Sequence, residues 1–78
     1  MKTLKELLPR RQFEVAGMVR YGLNNKEIAA TLGISVSGVQ AHLIRIFEAT
    51  GCDNRVMLAV RYALENQGVE KKPAQRVA

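Results

Sequence analysis

The single histidine, His42, and the single cysteine, Cys52, lie ten residues apart with no paired carboxylates or glycine-rich phosphate loop beside them. That is too little to assemble a nucleophile with its base, or a zinc site of four protein ligands, and one thiol closes no internal disulfide. No catalytic residue, metal or cofactor is therefore expected. Between Asn24 and Thr50 a different chemistry is available. Ser37, Ala41, Ile44, Arg45 and Glu48 share one side of a helical repeat, with Gln40 on one shoulder and His42 on the other. They offer hydroxyl and amide hydrogen bonds, methyl contacts and one guanidinium. This is chemistry for recognising a surface, and the side is sparse in charge for a face that meets only solvent.

Two helices must carry these side chains. Asn24 can accept from the free amides of a first turn, and Glu27 can return to the Asn24 amide, which makes a capping-box start. Ile28, Ala29 and Leu32 follow on one face. Gly33 then supplies the positive φ at which a chain commonly leaves a helix, and Ile34 plugs the corner. Ser35 caps a second helix, about residues 36–50, whose buried stripe is Val39, Leu43, Ile46, Phe47 and Thr50. A short helix, a glycine turn and a longer helix that opens on small and hydrogen-bonding residues form a helix-turn-helix, whose second helix enters the DNA major groove by its N-terminal half.

Four stretches, N-K-E-I-A at 25–29, L-G-I-S at 32–35, V-Q-A-H-L at 39–43 and G-C-D-N-R at 51–55, together resemble the DNA-binding domain of LuxR/FixJ-type, GerE-like bacterial transcription regulators. The resemblance runs from about Leu8 to Ala63. It implies an all-α fold, a compact four-helix domain containing a helix-turn-helix, and binding to double-stranded DNA as a homodimer through the last helix.

By the same resemblance Gln40, Ala41 and Ile44 occupy the base-reading positions. Similar proteins often have lysine at the first and last of these. Here the Gln40 amide can pair two ways with adenine, while Ala41 and Ile44 suit the thymine methyl, so an A/T-leaning half-site is expected. Contacts to the DNA backbone are expected from Lys26, Ser35, Ser37, Arg45, Asn54 and Arg55. Two of these have competing structural roles: Ser35 as a helix cap, and Arg55 as the partner of an acid such as Glu14 or Glu27. Gly38 replaces the threonine common in the family and weakens the helix start by up to ~1 kcal/mol relative to alanine. His42 matches a position that is commonly histidine, and a structural hydrogen bond is expected of it.

The rest of the chain supports this pair. Residues 1–7 read as a short lead-in, 8–68 as the domain and 69–78 as a disordered tail. Pro9 suits the first turn of a first long helix whose inner stripe is Val15, Ala16, Met18 and Val19. Pro9 and Gln12 stand where the family usually has a Ser or Thr cap and a glutamate, so that start is expected to fray. Phe13 lies off the stripe, and cover by the last helix or a terminal segment is the favoured explanation over a contact with another domain. Asp53 or Asn54 caps the last helix, which Gly68 closes. That helix is apolar on two sides, which suggests two partners. Met57, Val60, Tyr62 and Leu64 are assigned to a dimer interface, with a helix merely sunk in its own core as the alternative.

Bulk properties agree without deciding. The 78 residues allow one domain near the lower size limit for a self-sufficient core. The net charge is +5 and the pI about 9.9. Seven basic and five acidic residues between Leu8 and Gly68 leave the domain itself only +2. With no signal peptide or long apolar run, a cytoplasmic protein is expected. RNA polymerase or another regulator is a further candidate partner. Two alternatives stay open: a protein-interaction module of helix-turn-helix fold that binds or inhibits another regulator, and the promoter-reading region of a sigma factor. The chain is either a complete regulator or an excised domain.

Overall fold

A computed structural model describes residues 1–67, and among them the fold is entirely α-helical. The elements are α1 (Leu4–Leu7), α2 (Arg10–Arg20), α3 (Asn25–Leu32), α4 (Val36–Thr50) and α5 (Arg55–Glu65). α5 ends at Glu65 with Asn66 as its cap, three residues before the expected closure at Gly68, and the expected disordered tail falls outside the described residues. No single described helix is long and apolar enough to cross a membrane.

The four longer helices are the expected ones, and local hydrogen bonds explain their limits. Asn24 accepts from the Glu27 amide at 2.8 Å while the Glu27 carboxylate accepts from the Asn24 amide at 2.8 Å. At the other end of α3, Gly33 is left-handed at φ +69°, and the Ile34 amide returns to the Ala29 carbonyl at 3.0 Å. This turn satisfies carbonyls that the helix would otherwise leave open. Ser35 caps α4 by accepting from the Gly38 amide, Gly51 ends it at φ +73°, and Asn54 caps α5. The start of α2 differs from these. Pro9 stands at the cap itself, one position earlier than the first turn, and no side chain caps that end.

α2 is the hub, with α5 on one side and α4 on another, while α3 packs on α4. The core is built from Val15, Ala16, Met18 and Val19 of α2, Ile28 and Ala29 of α3, Val39, Leu43 and Ile46 of α4, and Leu58 and Tyr62 of α5. Phe13 packs against it, its ring 5.1 Å from that of Tyr62, so the last helix is what covers Phe13.

The lead-in differs from expectation. Thr3 and Glu6 form a second capping box around one turn of helix, and Leu4 is fully buried in the core. Its main chain is held from a distance. The Leu4 amide donates to Glu65 at 2.7 Å, and Arg61 donates to the Lys2 carbonyl at 2.9 Å. A single turn is not self-sufficient, and the burial of Leu4 together with these contacts from α5 holds it in place.

Gly17 of α2 faces the phenol of Tyr62 at close range. A Cβ built there would lie 2.9 Å from the hydroxyl and 3.2 Å from the ring carbon that bears it. Gly17→Ala is therefore expected to lower stability by about 1–3 kcal/mol through overpacking, despite the better helix propensity of alanine. A smaller loss of about 1 kcal/mol is expected for Asn24→Ala, which removes one cap. Denaturant melts of the two variants check both values.

Candidate nucleic-acid interface

Between α3 and α4 the chain direction bends by 105° across residues 33–35. The bend leaves one side of α4 on the core and the other free. Val39, Leu43 and Ile46 are buried, whereas Ser37, Gln40, Ala41, Ile44, Arg45 and Glu48 are exposed. Ile44 is 60% exposed, which is unusual for an isoleucine. Gln40 and Ile44 lie one turn apart, about 6 Å along the axis. Lys26, Gln40 and Arg45 form no hydrogen bond or ion pair with other described residues, so their polar ends are available.

The start of α4 is more constrained. The Ser35 hydroxyl accepts from Gly38 at 3.0 Å and lies 3.1 Å from the Ser37 hydroxyl. Gly38 keeps this corner open, since a Cβ there would sit 3.3 Å from Ser35 Oγ and 3.6 Å from Ile34 Cδ1. Asn54 uses its Oδ1 to cap α5 at the Met57 amide, and its Nδ2 has no partner among the described residues. His42 is half-buried at the edge of the stripe, as expected, yet it makes no hydrogen bond with another described residue.

Two of the residues singled out have partners inside the domain. Arg55 donates to Asn25 Oδ1 at 2.6 Å and to the Leu23 carbonyl at 2.9 Å. It pairs with neither Glu14 nor Glu27 and is tied into the scaffold, because the start of α5 lies against the loop that enters α3. Tyr62 leaves the set of exposed α5 residues. It is only 8% exposed and stacks on Phe13, one turn after the buried Leu58. The uncovered face of α5 is instead Val56, Met57, Val60 and Leu64, all exposed. Val56 was missed by the reading from sequence, although Val56, Val60 and Leu64 fall at successive turns. Val36, at the start of α4, is a further exposed apolar side chain that the buried-stripe pattern did not single out.

A right-angled helix pair on a helical support, with a free, weakly charged face on its second helix, defines a helix-turn-helix protein. The family model of bacterial regulatory proteins, luxR family, matches residues 6–62. The chain belongs to this LuxR family and carries its GerE-type DNA-binding domain, which is a binding fold and not an enzyme. Among similar proteins, the monoamine regulon transcriptional regulator of Klebsiella aerogenes is 45% identical over 58 residues, 74% of this chain and 26% of that protein. Response regulator Rre1 of a Synechocystis species is 44% identical over 61 residues, 78% of this chain and 26% of the relative. The oxygen regulatory protein NreC of Staphylococcus aureus is 35% identical over 65 residues, 83% and 30% respectively. The chain thus spans between a quarter and a third of the length of these relatives. No solved structure matches.

The two kinds of α5 residue should respond differently to truncation. Tyr62→Ala opens a cavity against Phe13 and Gly17 and is expected to cost about 3–5 kcal/mol. Leu64→Ala removes a solvent-facing side chain and is expected to stay within about 0.5 kcal/mol. Melts at a protein concentration low enough to prevent self-association separate them.

Proposed function

We propose that this chain is the sequence-specific DNA-reading module of a transcriptional regulator, with the N-terminal half of α4 in the major groove and α5 pairing two copies. The observation that carries this reading is the exposed face of α4, where an amide, two apolar side chains and a guanidinium stand free on a helix fixed by the core. Gln40, Ala41 and Ile44 read bases, and the preferred half-site leans toward A/T. Lys26, Ser37 and Arg45 contact phosphate, aided by Ser35 and by Asn54 Nδ2. The apolar face of α5, with Met57, Val60 and Leu64 joined by Val56, supports the homodimer. Two linked half-site contacts offset a modest affinity per domain. The module works in the cytoplasm, and its position on promoter DNA relative to RNA polymerase sets the sign of its effect.

The test is a titration of random and selected duplexes at two salt concentrations. Gln40→Ala is expected to relax base preference by about 1–3 kcal/mol at its position. Arg45→Ala is expected to weaken binding evenly across sequences and to lower the salt slope by about one. A G-rich selected core would contradict the A/T half-site. Absence of any preferred duplex, with both variants matching the parent, would defeat the DNA reading and leave α5 as the docking face for another regulator.

A further inference from the structure

α5 packs chiefly on α2, yet it also reaches the helix-turn-helix through two guanidinium groups. Near the entry to α3, Arg55 holds the Leu23 carbonyl and Asn25 Oδ1. At the exit from α4, Arg61 donates to the Thr50 carbonyl at 3.2 Å, while its other nitrogens hold the Lys2 carbonyl and Glu65 Oε2 at 2.9 Å each. The two arginines are six residues apart, about 9 Å along α5. One therefore grips the beginning of the helix pair and the other its end. The hydrogen bond to Glu65 outweighs the opposing desolvation and raises the Arg61 pKa above its ordinary value, so the group stays charged.

We propose that Arg55 and Arg61 are positioning residues that clamp both ends of the helix-turn-helix to α5, and so fix the pose of the reading face of α4 relative to the exposed face of α5. This rests on the homodimer reading above and extends it. If two copies pair through α5, the separation of their α4 helices is set by this clamp. A rigid clamp makes binding strict about the spacing between half-sites, because no ordering cost remains at the best spacing and strain appears at any other. With the clamp loosened, each reading head can pivot on the α2 contact. Affinity at the best spacing then falls and tolerance for other spacings rises. Arg55 acts here through the scaffold and not as a phosphate ligand. Its planar fork grips two acceptors at once, which a lysine ammonium on a flexible stem does not reproduce.

The experiment uses duplexes with two copies of the selected half-site, their spacer changed one base pair at a time, and a duplex with one half-site. For the parent chain, a shift of one base pair from the best spacing is expected to reduce affinity by roughly tenfold or more. For Arg55→Lys that penalty is expected to shrink to about threefold or less, while affinity for one half-site and the salt slope stay at parent values. Asn25→Asp, which keeps an acceptor for Arg55 and adds charge, is expected to preserve the spacing preference. Arg61→Lys should relax the spacing as Arg55→Lys does, and thermal melts of each variant establish that it is folded. If Arg55→Lys is folded and keeps the full spacing penalty, the clamp is wrong although the dimer stands. A loss of affinity on one half-site together with a smaller salt slope makes Arg55 a phosphate ligand and also overturns the clamp. A parent chain indifferent to spacing overturns the dimer reading, and the clamp with it.

Discussion

The structure depends on the corner between α3 and α4. Gly33 turns left-handed, Ile34 fills the inside of the bend and returns its amide to Ala29, and Ser35 starts the next helix at once. A residue with a Cβ would be strained at that φ. Across the 105° bend α3 packs on α4, and α2 packs on α4 as well, so the Val39, Leu43 and Ile46 stripe is the side that is buried. The outward face of α4 is what remains after the corner and the core have taken their residues. Its low charge follows from the residues present, and its exposure follows from the bend.

α5 completes the support by a different route. Leu58 and Tyr62 anchor it on α2, with Phe13 and Gly17 shaped around the phenol. Its two arginines take up main-chain carbonyls of Lys2, Leu23 and Thr50 and the amide side chain of Asn25, at distant points of the domain. The side of α5 opposite this work is apolar and uncovered. One helix thus joins the inside of the domain to an exposed apolar surface, and polar links run from it to both ends of the α3–α4 pair.

Most of the helix pair was legible because its determinants are local. Asn24 with Glu27, Gly33, and Ser35 before the Val39–Leu43–Ile46 stripe each act within a few residues, and their chemistry is visible in order along the chain. Features set by distant partners were not. Thr3 and Glu6 spell a capping box, yet the one turn of helix is held by distant partners, with Leu4 in the core and Glu65 and Arg61 reaching it from the far end of the domain. Arg55 holds an asparagine and a main-chain carbonyl, partners that neither the expected phosphate contact nor the competing carboxylate pairing named. α5 is apolar over so much of its circumference that composition could not separate Tyr62, on the core, from Val56, in solvent. The exposed face of α4 was legible from its helical spacing, and the roles proposed for its individual residues rest on family resemblance.

The most direct test of the account is a titration of the 15N-labelled chain with duplex carrying the selected half-site, followed by amide chemical shifts. The account predicts that the largest changes fall on Lys26 and on residues 35–45, with the amides of α2 nearly still. Changes confined to α5 while those of α4 stay at their free positions would contradict it, since the exposed face of α4 would then be no reading surface at all.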